Sequence, residues 1–556
     1  MAGNAVSAAP PGHLIPRKRQ PLSTRGGIWR FLPFLVAAVV LLPVAVVVSS
    51  FLTPAGEIWR HLVETTLADL VTNTFWLALG VALGTVVLGV SLAWLTAVCE
   101  FPGHRVFAWS LLLPLAIPAY VTGFVFIGLF DFTGPIQTQL REWFGPGIWF
   151  PKVRGRLGVI VVMTLALFPY VYLLARNAFL TQGKRALEAA QSLGLSRAQG
   201  FLRVALPMAR PWIAGGLSLA LMETLADFGT VAVFNYDTFT TAIYKAWFAL
   251  FSLPAAAQLA SILILIAFAL LVAEQQSRAH MRYGEARSSA RMERIRLRGI
   301  RAWLAFTLCL AVLILGFLLP VAQLGWWALG SAARDLDARY LGFFWHSLLL
   351  SAIAAAITVG VALLLSYAGR QFPDTWTRLA VRASTLGYAV PGAVLAVGIF
   401  IPIAWLDSLL VKAVEHFMGA SPGLLVQGTL VAMLVAYVAR FMAVGFNPID
   451  SAMQRVTRSM DEAARSLGLT MGRSLLRVHL PILRGGLITG AMLVFVDVMK
   501  EMPITLMTRP FGWDTLAVRI FEMTSEGEWE RAALPSLALV IAGLAPLIVL
   551  SRHAEK

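Results

Sequence analysis

Four carboxylates stand in strongly apolar surroundings. Glu223 and Asp227 lie four residues apart in one long apolar run, and Asp497 and Glu501 lie four apart in another. Residues four apart share a helix face, so each pair would present two carboxyl groups together. A charge deep in an apolar segment is costly and normally faces a cavity or a partner. Hard oxygen donors around a cavity suit a small, highly charged cation, which makes these four residues candidates for the lining of a passage. A structural use is equally open: Lys500 stands beside Glu501, and arginines on neighbouring helices could pair with any of the four.

Other chemistry is harder to find. The chain has no Gly-Lys-Ser/Thr phosphate loop, so it lacks the backbone cradle and lysine that hold nucleotide phosphates, and energy must come from another polypeptide. No nucleophile, base and oxyanion set stands out, so no catalytic residue is expected and the chain alone should not be an enzyme. The eight histidines are scattered without an i, i+4 pair, and no tightly bound metal is expected. Cys99 and Cys309 lie in or beside apolar segments far apart, which points to neither a disulfide nor a metal pair.

Two stretches are near copies of each other. EAAQSLGLSRAQGFLRVALP runs from Glu188 to Pro207, and EAARSLGLTMGRSLLRVHLP runs from Glu462 to Pro481, at a constant offset of 274 residues. Ser459 with Glu462 reads as a capping box in the second copy, and Ser196 with Gln199 offers a cap in the first. Gly194 and Gly468 suit the left-handed residue that closes a helix. Each copy should be helix, sharp glycine turn, helix, with proline marking where the second helix gives way to the next span. A rigid knob of this kind is well shaped to sit in a groove of a partner.

The elements around these residues belong to a membrane. The chain is 556 residues, 58% apolar and only 13% charged, with a mean hydropathy of +0.75. Its formal charge of +16 falls between apolar runs, which reads as cytoplasmic loops and not as nucleic-acid binding. Apolar runs predict twelve spans in two sets of six. The first set is near 31–51, 71–98, 107–130, 157–178, 212–234 and 255–273; the second is near 302–330, 343–368, 380–405, 424–446, 485–508 and 532–551. Pro118 and Pro391 interrupt the third and ninth, and Gly215-Gly216 and Gly485-Gly486 open the fifth and eleventh, where they allow kinks or close helix approach.

An even number of spans puts both termini on one side. A polar and then basic start (Arg17, Lys18, Arg19, Arg25, Arg30) reads as a cytoplasmic tail leading into a signal-anchor helix. Residues 274–301, with eight arginines against three glutamates, read as a cytoplasmic linker, and both copied blocks fall on the same side. One loop fits poorly: residues 131–156 should be external yet carry Arg141, Lys152, Arg154 and Arg156. The external stretches 235–254 and 509–531 are candidates for receiving a partner from outside.

The repeated block resembles the EAA signature of permease subunits of binding-protein-dependent ABC importers: Glu-Ala-Ala, three residues, Gly, nine residues, an aliphatic, one residue, Leu-Pro. Both copies match it, through Val204, Leu206 and Pro207 and through Val478, Leu480 and Pro481. Two blocks in one chain are similar to the fused ferric-iron permeases, as are Met222 to Phe248 and Val496 to Glu522; thiamine permeases are the other fused group. The resemblance implies an all-α polytopic fold of about twelve transmembrane helices in two homologous halves. It assigns ATPase coupling to Glu188, Ala189, Ala190, Gly194 and Pro207, and to Glu462, Ala463, Ala464, Gly468 and Pro481. It also implies two copies of an ATP-binding cassette subunit as partners, with ATP and Mg used there and no cofactor on this chain, and a periplasmic binding protein.

The resulting organisation is a cytoplasmic tail (1–30), a first half (31–273, EAA loop 181–211), a basic linker (274–301) and a second half (302–556, EAA loop 448–484). The chain is expected in a bacterial inner membrane as the permease of an ATP-driven importer, with ferric iron as cargo and Glu223, Asp227, Asp497 and Glu501 as the candidate path. Thiamine, a polyamine or another small solute is the alternative cargo. A proton-coupled carrier is a remote alternative, because it leaves the two cytoplasmic blocks unexplained.

Overall fold

The computed structural model describes residues 27–53, 56–192, 194–279, 294–419 and 423–554. Most of the expected tail and residues 280–293 of the linker lie outside them, as do the side chains of Glu188 and Ala189. Nearly everything described is helix, as a bilayer requires of backbone that must satisfy its own hydrogen bonds. The end of the linker is held by the one strand pairing among the described residues, Cys99–Glu100 parallel to Ile295–Arg296.

Among the described residues, eleven helical stretches are long and apolar enough to cross a membrane. They fall one for one on the first eleven expected spans. The twelfth, 532–551, falls on the helix Trp529–Ala554, whose side chains from residue 545 on are outside the described set. In the loop 131–156, the surplus of arginine is used locally: Arg154 pairs with Asp131 at 2.7 Å, and Arg141 lies over the Phe132 ring.

Two kinds of break set the geometry. Ile117 and Val390 are extended (ψ 124° and 125°), as residues before proline prefer to be, and new helices start at Ala119 and Gly392. The expected fifth and eleventh spans are not continuous. The helices Leu206–Ala226 and Leu480–Lys500 stop, Asp227 and Glu501 turn extended, and short helices Gly229–Val233 and Pro503–Thr508 follow. Each carboxylate pair therefore straddles a helix end instead of sharing one helix face.

Pro207 and Pro481 do not end a helix either. In each copy a wide turn, Phe201–Ala205 or Leu475–His479, closes with an i→i−5 bond (Leu206 N–H to Phe201 O) and absorbs the missing proline N–H. Gly216 lies where any Cβ would overlap Tyr170 and Val171, so it is a point of close helix approach. Its counterpart at the repeat offset is Gly490, against Gly445, and not Gly486, which touches Pro448 and Ala452.

The halves interlock. The helix Gly27–Ser49 packs on the second half, with Val36 and Val40 in clusters shared with Ala362, Leu365 and Met433. Reciprocally, the helices Ile300–Leu313 and Leu319–Asp335 join the first half's core: Phe306 meets Phe107 edge-on and Trp327 stacks on Phe124. The stretches 235–254 and 509–531, expected as loops, contain the well-packed helices Phe239–Phe248 and Leu516–Ser525, with Phe239, Ile243, Leu516 and Ile520 fully buried.

Candidate functional site

A cavity of about 190 Å³ lies where the breaks meet. The first proline break contributes Pro118, Ala119 and Tyr120, and the second contributes Tyr388. The ends of the two core helices contribute Glu223, Asp227, Asp497, Lys500 and Glu501, and Arg440 enters from Leu430–Met453. All four carboxylates anticipated from the sequence thus converge on one space. They come from equivalent places, since the offset of 274 that relates the blocks also relates Glu223 to Asp497 and Asp227 to Glu501.

Asp227 and Glu501 hold the breaks. Asp227 accepts from the Thr230 hydroxyl at 2.8 Å and the Val231 N–H at 3.1 Å; Glu501 accepts from the Ile504 N–H at 3.2 Å. Each carboxylate thereby satisfies amides at the start of the short helix that follows. Glu223 accepts a hydrogen bond of 2.8 Å from the Tyr388 hydroxyl, across the two halves. In the other direction, Lys500 Nζ donates to the Leu115 carbonyl oxygen at 2.9 Å.

Of the two uses left open for the acids, the structural one is seen at Glu501. Arg440 Nε lies 3.3 Å from Glu501 Oε2, with both side chains nearly buried, so an arginine on a neighbouring helix takes the pairing and Lys500 turns away. Gly392 makes the space, because a Cβ there would press on the Glu501 carboxylate and the Arg440 guanidinium. The repeat sets Arg440 and Lys500 opposite Ala166 and Ala226, which line the same cavity. These two cations therefore have no counterpart at the equivalent positions of the first half. Four acids against two cations leave the cavity formally acidic. No three His, Cys, Asp or Glu side chains among the described residues come close enough to hold a metal ion together.

Arg440, Tyr388 and Tyr120 were not singled out from the sequence. Arg440 carried the same signal as the acids, a lone charge in the run VAYVARFMAV. Tyrosines carry none, because an apolar ring with a polar tip is ordinary in a membrane helix. Tyr120 lines the cavity, and its hydroxyl is buried without a hydrogen-bond partner.

The repeated blocks lie at the opposite ends of the same core helices. Gly194 (φ +79°) and Gly468 (φ +74°) take the left-handed conformation. Around them, Leu195 N–H reaches Ala190 O and Leu469 N–H reaches Ala464 O, both at 3.0 Å, which closes each helix as the spacing predicts. The Ser196–Gln199 box is present in both directions (3.0 and 3.3 Å). The Ser459–Glu462 box is not: the helix Arg458–Ser466 starts earlier, with Thr457 at the cap position, and the Ser459 hydroxyl contacts that of Thr457 instead. The first copy has no separate first helix, since Glu188 to Ser192 continues the long helix Arg156–Ser192. Ala190 and Ala464 are buried, whereas Glu462, Ala463, Gly468 and Pro481 are exposed, as are Gly194 and Leu467, the latter at 80%.

Comparison with known proteins agrees with this duplication. The family described as binding-protein-dependent transport system inner membrane component matches residues 86–279 and again residues 362–554. The Fe(3+)-transport system permease protein FbpB 2 of Haemophilus influenzae is 27% identical over 88% of this chain and 91% of its own length. The sulfate transport system permease protein CysT of Synechococcus elongatus is 29% identical over 37% of this chain and 73% of its own, and the molybdenum transport system permease protein ModB of Escherichia coli is 32% identical over 33% and 79%. Each family match takes in one copied block, the core helix after it and the carboxylates at that helix's end, so the chain belongs to the inner membrane components of binding-protein-dependent transport systems.

Proposed function

We propose that the chain is the membrane pathway of an ATP-driven importer of ferric iron, with the acidic cavity as the place the cargo passes. The observation that carries this reading is the convergence of Glu223, Asp227, Asp497 and Glu501, from equivalent positions of two halves, on one space between broken helices. Oxygen donors without a closed ligand set suit brief passage of a hard cation better than its storage. The relative that matches along nearly the whole fused length carries Fe(3+) transport in its name, which supports the same cargo.

In this reading the two EAA blocks, Glu188 to Pro207 and Glu462 to Pro481, dock two copies of an ATP-binding subunit, where Mg-ATP is used. Their side, with both termini, is the cytoplasm, and a periplasmic binding protein delivers cargo to the other face. ATP-driven closure of the partner dimer draws the blocks together and tilts the core helices, opening the cavity outward.

Arg440 and Lys500 in the same cavity favour a second cargo class, an oxyanion such as the relatives named for sulfate or molybdenum would carry. Both cations already have protein partners, and acids outnumber them, which favours the cation. Cells producing the chain with its partners are given radioactive ferric iron, with sulfate or molybdate as competitor. Glu223→Gln keeps an acceptor for Tyr388 and removes only the charge; uptake should fall about tenfold, an effect of the size of one lost charge contact. Unchanged iron uptake at normal membrane level removes the path assignment, and competition by the oxyanions replaces the cargo.

A further inference from the structure

The two coupling blocks are fastened to the core by different chemistry. In the second half, Asp461, the residue just before the Glu-Ala-Ala of the block, turns inward from the helix Arg458–Ser466. Its Oδ2 accepts from Arg370 Nε and Nη2 at 3.0 and 2.8 Å, and its Oδ1 lies 2.9 Å from His479 Nε2, by an approach off the ideal hydrogen-bond line. His479 is fully buried, its Nδ1 is 3.1 Å from the Ser474 carbonyl oxygen, and the Tyr367 ring stands edge-on to it. One turn further along the same helix face, Arg465 donates to Gln371 at 3.2 Å. The polar chain therefore joins three elements: the end of Ala338–Gln371, the docking helix, and the wide turn that leads into Leu480–Lys500. The far end of that last helix carries Asp497 and Glu501.

In the first half the equivalent positions carry no such triad. At the repeat offset, Asp461 and His479 face Leu187 and Ala205; aligning Phe101-Pro102 with Phe372-Pro373 sets Cys99 opposite Arg370. There, Phe201 of the block packs on Trp94 at 4.4 Å between ring centres, and Trp94 packs on Phe179 at 5.3 Å. An apolar joint is thus sufficient for folding, and a largely buried ion pair is a poor means of adding stability. What charge adds is direction and register: Asp461 is held at a fixed angle to two other helices.

We infer that Arg370, Asp461 and His479 are positioning residues that transmit movement of the second docking helix to the core helix bearing Asp497 and Glu501. The inference rests on the ATP-driven reading above. It makes the second half the stiff side of the coupling and the aromatic first half the compliant one.

The test uses the complex of the full chain with its ATP-binding subunit in lipid nanodiscs, carrying the reporter Ala119→Cys in the cavity wall. Cys99 and Cys309 are both buried thiols, so a polar maleimide reports the new cysteine. Labelling rates are compared with and without ATP plus vanadate, and trapped nucleotide is measured in the same sample. In Asp461→Asn and Arg370→Met the ATP-dependent change in rate should shrink about tenfold while trapped nucleotide stays within about twofold, and Arg370→Lys should recover much of the change. An ATP-dependent change equal to that of the reporter alone overturns the inference. So does loss of trapped nucleotide, which would make these residues part of docking itself. If Asp461→Asn does not reach the membrane, His479→Gln and Arg370→Met are judged by the same two measurements. A reporter complex that shows no response to ATP at all instead sinks the ATP-driven reading.

Discussion

At the scale of single residues, the site turns on how charge is held in an apolar setting. Glu501 is capped to the short helix Pro503–Thr508 and paired with Arg440, so its charge is matched within the protein. Removing one partner of such a pair leaves the other buried alone, at a cost of about 3–5 kcal/mol. Arg440→Met should therefore lower the thermal stability of the detergent-solubilised chain markedly, and Arg440→Met with Glu501→Gln should regain most of the loss; equal melting of the two variants would argue that Glu501 is neutral or reaches water. The acids were legible because isolated carboxylates in apolar runs are conspicuous. Their partners were not, because the Arg440–Glu501 pair joins residues 61 positions apart and depends on which helices meet.

At the scale of elements, short local rules were read correctly where the chain obeys them alone. The glycine closures at Gly194 and Gly468 and the Ser196–Gln199 box depend on four or five residues and nothing else. The second box failed because Thr457, two residues earlier, takes the cap position. Helix continuity was harder: the sequence marks prolines, but whether one breaks a helix or is absorbed in a wide turn is decided by neighbours. Pro391 breaks one and Pro481 does not. Gly468 is left-handed with open space around it, so Gly468→Ala costs only backbone strain, about 1 kcal/mol. The expected result is a chain that still inserts but co-purifies less ATP-binding subunit, with Gly468→Asn milder because asparagine tolerates this conformation. Equal co-purification for all three would separate this turn from docking.

At the scale of the whole molecule, hydropathy gave the spans and the repeat gave the two halves, but the exchange of leading helices was hidden. A surface facing lipid and a surface facing another helix are both apolar, so composition does not distinguish them. The exchange predicts that deleting Gly27–Ser49 damages the half from which it is most distant in sequence. Hydrogen exchange should rise in Ala338–Gln371 and Leu430–Met453 more than in Leu67–Val98, and a rise confined to the first half would contradict the packing of Val36 and Val40.

The wide turns have one more consequence. Because Phe201–Ala205 runs into Leu206–Ala226 without a break, the stretch from Gly194 to Asp227 contains a single continuous rod of roughly 40 Å, at about 1.5 Å per residue. A rod cannot bend to keep one tip still while the other swings. A push on its inner tip would therefore also shift the carboxylate seated at its outer tip, so the placing of that acid follows the motion of the copied block.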